Sequence, residues 1–267
     1  MSIYDSPVVL AYFCVLAALL GAALGSFLNC AAWRIAHGES VLRGRSHCPS
    51  CGHSLAALDL VPVFSWCFLR GKCRYCGEKV SVRYPLTELF FALVTLACLL
   101  KGDLSVLTLR NWLFLCCLFC LSLVDLECYI IPNSCLIISF IVWLAALPFI
   151  RMGWRDAGMH LLAGFVIGLV FLALSLVMDR ILHKDSMGGG DIKLFSVVGL
   201  YLGFAPSLFA VILACVIGLL FAMVRRLLPG KREAQIPFGP PIAFATAAIL
   251  LFGGPLIDWY LELLRSV

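Results

Sequence analysis

This sequence predicts an all-α polytopic membrane protein, about eight transmembrane helices with one small polar insert, and three features predict it. The chain is 63% hydrophobic and only 13% charged, with a mean hydropathy of +1.03, against roughly 25% charged residues in an ordinary soluble domain. Too few polar side chains remain to coat a water-facing surface, so lipid must be much of its solvent. Its 267 residues have room for about eight spans of roughly 20 residues and one modest polar unit. Finally, the net charge of +5 sits beside apolar runs, which reads as membrane topology and not as a nucleic-acid surface.

The apolar segments run approximately 8–32, 85–101, 111–126, 130–150, 159–178, 192–204, 206–224 and 240–260. The first starts with an acid, Asp5, and its apolar run is too long for a signal peptide, so it reads as a retained helix. Segment 192–204 is the weakest; without it there are seven spans and the C-terminus changes sides. With the N-terminus outside, loops 33–84, 179–191 and 225–239 and their flanks carry fifteen of the twenty Lys and Arg residues, among them Arg34, Lys72, Lys184, Lys193, Lys231 and Arg232. Lys101, Arg110, Arg151, Arg155 and the tail residue Arg265 are the others. That bias places the three loops in the cytoplasm. The expected division is a first helix over 1–32, a cytoplasmic insert over 33–84, and a transmembrane unit over 85–267.

The insert carries Cys48-Pro-Ser-Cys51 and Cys73-Arg-Tyr-Cys76, four of the fourteen cysteines. Two C-x-x-C pairs at this separation match the two thiolate-bearing turns of a structural zinc site. Gly52 and Gly77 follow the pairs and suit the tight turn each needs. An insert this small often needs such a staple, and a reducing compartment disfavours disulfides. A redox dithiol or plainly buried cysteines are the other readings. The remaining cysteines lie mostly in apolar runs, where they act as small hydrophobes.

Two acids stand at membrane edges. Asp125 ends the third segment in Ser122-Leu-Val-Asp125-Leu-Glu127, and Asp191 opens the sixth in Gly188-Gly-Gly190-Asp191-Ile-Lys193. Both fall on the cytoplasmic side, and an ionisable residue there is a functional candidate. Two carboxylates brought together in a poorly solvated site share a proton; one activates water while the other polarises a carbonyl. Gly188 and Gly190 let that loop lie close to an extended substrate backbone, which must pair with something once unwound. Acids at helix ends are also commonly just solvated in the headgroup region. On position alone Glu88, Glu127, Asp179 and Asp185 have as good a claim.

Taken in order, these residues resemble bacterial type IV prepilin peptidases. The likeness includes Gly25-Ser-Phe-Leu-Asn29, the cysteine pairs, Asp59-Leu-Val-Pro62-Val-Phe-Ser65-Trp66 and Arg83-Tyr-Pro-Leu-Thr-Glu88-Leu. It continues through Asp125 to Pro132, the Gly188-to-Lys193 loop and Ile236-Pro-Phe-Gly-Pro240. The resemblance implies an intramembrane aspartic endopeptidase of the G-x-G-D type in the bacterial inner (cytoplasmic) membrane, with Asp125 and Asp191 catalytic and facing the cytoplasm. It implies prepilins or pseudopilins of type IV pili, type II secretion or competence systems as substrates, cut after a basic leader. It also implies N-methylation of the new amine with S-adenosylmethionine, with Gly71 and Lys72 matching a motif for that activity. The insert is shorter than many in the family. Gly21-Ala-Ala-Leu-Gly25 lies inside an apolar helix and is no dinucleotide fingerprint. A non-enzymatic membrane scaffold or transporter with a zinc module is the competing class; oligomeric state is left open.

Overall fold

A computed structural model describes residues 6–41, 43–102, 104–150, 152–184, 187–227 and 236–265. Asp5, Arg151, Asp185, Lys231 and Arg232 lie outside them. Among the described residues the fold is helical, without strands. The helices are α1 (Pro7–Ala36), α2 (Phe64–Phe68), α3 (Arg83–Lys101), α4 (Val106–Cys128), α5 (Asn133–Ala146), α6 (Trp154–Leu182), α7 (Gly189–Leu202), α8 (Phe204–Leu227) and α9 (Gly239–Arg265). Five of them, α1, α3, α4, α6 and the Phe204–Val224 part of α8, are long and apolar enough to cross a membrane. Asn133–Ala146 and Gly239–Pro255 are shorter apolar helices, and α7 spans 14 residues. Every expected apolar segment is a helix, but not every one has full spanning length.

The chain forms two compact units, Met1–Leu104 and Ser105–Val267. In the first, α3 packs along α1, with the insert between them in sequence. Gly21 and Gly25 make the close approach possible: a Cβ at Gly21 would meet Thr95 Oγ1 at 2.6 Å, and one at Gly25 would meet the Glu88 Cα at 3.0 Å. This is the small-x-x-x-small seam by which membrane helices pack without a hydrophobic driving force. Asn29 Nδ2 donates to Thr87 Oγ1 across the same seam.

The second unit repeats the device. A Cβ at Gly164 of α6 would stand 2.7 Å from the Ser196 carbonyl oxygen of α7. At the end of α7, Phe114 of α4 stacks on Tyr201 with ring centroids 3.7 Å apart. The Tyr201 hydroxyl donates to the Ser139 carbonyl of α5 at 2.8 Å. The buried Arg110 guanidinium lies 5.2 Å from the centroid of the Tyr201 ring, a cation–π contact that partly offsets its desolvation. These ties fix α4, α5 and α7 relative to one another, which determines where Asp125 and Asp191 lie.

Candidate active site and metal centre

Asp125 occupies the last turn of α4. Tyr129 ends the helix in a left-handed conformation, φ 57°, and its N–H returns to the Asp125 carbonyl at 3.0 Å. The Asp125 residue is 4% exposed, and its Oδ2 accepts the Gly239 N–H at 2.7 Å. Gly239 opens α9, so that N–H has no partner inside the helix. A Cβ there would sit 2.8 Å from the same carboxylate oxygen, so glycine is what admits the approach.

Asp191 is half-buried in the first turn of α7, where the positive end of the helix dipole favours a carboxylate. Although 66 residues separate the two acids in sequence, Asp191 opens a helix whose first turn meets the segment just after Asp125. The loop glycines have identifiable neighbours. A Cβ at Gly190 would stand 2.9 Å from the Ile131 Cβ, and one at Gly188 would stand 3.1 Å from Asp191 Oδ2. Lys193 Nζ donates to Asn133 Oδ1 at 3.1 Å. The start of α7 is therefore latched to the Ile131–Asn133 turn that follows Asp125. Among the other acids, Asp179 accepts from Ser175 Oγ at 3.4 Å, and Glu127 is half-buried near the end of α4.

Gly239 was missed as a site residue. A signal existed in Pro237-Phe-Gly239-Pro240-Pro241: prolines have no N–H, which leaves few donors to face a carboxylate. What could not be read was which carboxylate.

The cysteine pairs form two matching turns. In each, the first cysteine's N–H bonds the carbonyl five residues on, Cys48 to His53 at 3.0 Å and Cys73 to Glu78 at 2.8 Å. The glycine N–H returns to that cysteine's carbonyl, Gly52 to Cys48 at 2.8 Å and Gly77 to Cys73 at 3.0 Å. Both glycines have positive φ, 70° and 74°, which a side chain would resist. The ligand atoms of Cys48, Cys51, Cys73 and Cys76 lie within 4.8 Å of one another and could hold a metal ion. The Cys48 and Cys76 sulfurs are 3.9 Å apart, close to the edge of about 3.8 Å for a tetrahedron with 2.3 Å zinc–sulfur bonds. The thiols perturb one another. The Cys51 N–H holds Cys48 down at about 7 against the upward effect of burial. At Cys76 the Glu78 N–H pulls downward, but desolvation and the three neighbouring thiols push it up to about 12. Crowded thiols of this kind suit a cation at their centre.

The turns wall a cavity of about 730 Å³ inside the first unit, lined among others by Trp33, Arg34, Asp59, Trp66, Lys72 and Glu88. Asp59 ties the insert together. It accepts from Arg74 Nε at 2.6 Å, the Tyr75 hydroxyl at 3.0 Å and the Ala56 N–H at 3.1 Å. Desolvation would raise its pKa, but these bonds and the Arg74 charge outweigh it and hold the carboxyl below its usual range. Lys72 lines the cavity, whereas Gly71 packs behind it: a Cβ there would meet the Trp66 ring at 2.8 Å.

Sequence comparison agrees with this two-part organisation. The bacterial peptidase A24 N-terminal domain matches residues 19–101, and the type IV leader peptidase family matches residues 112–223. A prepilin leader peptidase/N-methyltransferase of Bacillus subtilis is 34% identical over 92% of this chain and 96% of its own. The chain belongs to the type IV leader peptidase family. The sequence-based expectation thus stands at the level of family and enzyme class. A prepilin leader peptidase/N-methyltransferase of Aeromonas hydrophila is 33% identical over 81% of this chain and 74% of its own. A type 4 prepilin-like proteins leader peptide-processing enzyme of Escherichia coli is 29% identical over 88% and 93%. No solved structure matches the chain.

Proposed function

We propose that this chain is an intramembrane aspartic endopeptidase and amine methyltransferase. It removes the basic leader of type IV prepilins or pseudopilins at the cytoplasmic border of the inner membrane, then methylates the new N-terminus. One observation supports the peptidase half: the Gly190–Lys193 segment that carries Asp191 is held against the Ile131–Asn133 turn that follows Asp125, with Lys193 Nζ 3.1 Å from Asn133 Oδ1. The ionised member of the pair takes a proton from a water held between them, and the protonated member donates to the scissile carbonyl. A proton shared by two such carboxylates belongs to the pair, so neither is assigned a fixed role. The Gly239 N–H orients Asp125, and the loop from Gly188 to Gly190, with Lys193, lies beside the scissile segment.

The methyltransferase half belongs to the first unit. S-adenosylmethionine supplies an electrophilic methyl group. The cavity's volume lies in the range of small-molecule sites. Trp33, stacked on His37 with ring centroids 4.3 Å apart, and Trp66 add aromatic surface to the lining, which suits a cation or a nucleobase, and Lys72 offers a charge for a carboxylate. Zinc held by Cys48, Cys51, Cys73 and Cys76 is structural, since four thiolates leave no open coordination position.

Co-expression of the chain with a type IV prepilin tests both halves, read by product size and by the mass of the N-terminal peptide. The expected product lacks the leader and carries one added methyl group. Uncut prepilin rejects the reading; a cut but unmethylated product removes its second half.

A further inference from the structure

The acids around the first unit's cavity differ in what holds them. Asp59 is taken up by Arg74, Tyr75 and the Ala56 N–H, and Glu78 Oε1 accepts the Lys79 N–H. Glu88, on α3, is different. It lines the cavity and is 6% exposed, yet no cation among the described residues pairs with it. The cavity's buried cation, Arg34, is committed to the carbonyls of Ser40, Val41 and Arg43. Glu88 Oε2 accepts the Val63 N–H at 2.7 Å, and its other oxygen is neither buried nor bonded.

The donor to Oε2 is itself held under strain. Val63 has φ 61° and ψ −51°, with the Phe64 N–H reaching the Pro62 carbonyl at 2.6 Å. This is the rare positive-φ γ-turn, unfavourable for a β-branched residue. The turn aims the Val63 N–H at one carboxylate oxygen and fixes the orientation of the group. A largely buried carboxylate with one neutral partner is poorly compensated. It suits a cationic donor that enters the cavity.

We infer that Glu88 receives the protonated α-amino group of the processed polypeptide and takes its proton. An N–H bond of the ammonium breaks, its electron pair stays on nitrogen, and an O–H bond forms on Glu88. The amine becomes the nucleophile that methylation requires, and the Glu88 proton passes to water when the product leaves. This rests on the methyltransferase reading above, but amine recognition is separable from it.

Two measurements on the purified full chain test the assignment. The first is calorimetric binding of a short apolar peptide with a free α-amine, compared with its N-acetylated form, without S-adenosylmethionine. Wild type is expected to prefer the free amine roughly tenfold or more, as befits a hydrogen bond to a charged group; equal binding overturns the inference whatever any variant does. The second is Glu88→Gln, which keeps an acceptor for the Val63 N–H but cannot take a proton. It is expected to lose the amine preference and to methylate about a hundredfold more slowly, with melting temperature, zinc content and leader cleavage unchanged. A purely structural Glu88 predicts the opposite: the glutamine variant methylates at the wild-type rate, and that result overturns the inference. If wild type prefers the amine but methylates nothing, the methyltransferase reading fails and the amine site stands.

Discussion

Asp125 and Gly239 show how a single backbone amide can orient a buried carboxylate. The carboxylate is buried on α4, and the N–H that orients it comes from 114 residues further along the chain. Gly239→Ala places a Cβ 2.8 Å from Oδ2, so the carboxylate must move. Prepilin cleavage is expected to fall about a hundredfold with zinc content unchanged; cleavage at the wild-type rate would show that the contact is dispensable. Asp59 makes a prediction in the insert. Its carboxyl is held below the usual range in the folded protein. The stability it contributes is therefore complete above about pH 4, the ordinary unfolded value, and is lost as pH falls through its lower folded value. Asp59→Asn should lower the insert's melting temperature at pH 7, and the two proteins should converge once pH falls below the depressed folded value. A gap that persists in acid would assign the effect to something other than the charge.

Among the elements, the two cysteine turns were the most legible in sequence. Spacing and the following glycines fix local backbone geometry, and the structure reproduces both turns with the same pattern of hydrogen bonds. Chelation of the metal, or Cys48→Ser, is expected to take zinc from about one per chain to near zero and to open the insert to proteolysis. Unchanged protease resistance after complete metal loss would contradict a structural role. The helix seams were legible but unread. Gly21 and Gly25 stood out in sequence as glycines inside an apolar run, yet their use against Thr95 and Glu88 depends on which helix lies alongside. Gly164→Leu, which inserts a large side chain where a Cβ already meets the Ser196 carbonyl at 2.7 Å, should part α6 from α7. Since α7 carries Asp191, cleavage should be lost and the melting temperature lowered; a variant with wild-type activity would show that this seam does not position the acid.

For the whole molecule, hydropathy located every long helix because apolar length is a local property. It did not reveal that α3 packs with α1 in the first compact unit, since partner choice depends on surface complementarity between distant segments. A pairing of Asp125 with Asp191 rests in the sequence on position, which Glu88, Glu127, Asp179 and Asp185 share, and on the family resemblance. Glu88 shows why position alone misleads: it lies in the other unit, lining the cavity beside the cysteine turns. If the two activities reside in different units, chelation should lower amine methylation more than it lowers leader cleavage, measured on one preparation.

The most direct measurement is prepilin cleavage by Asp125→Asn and Asp191→Asn, each purified with wild-type yield and zinc content. Both substitutions preserve shape and remove an ionisable group, so each alone is expected to reduce cleavage on the order of a thousandfold or more. Cleavage by either variant at the wild-type rate would contradict a shared role for these two carboxylates.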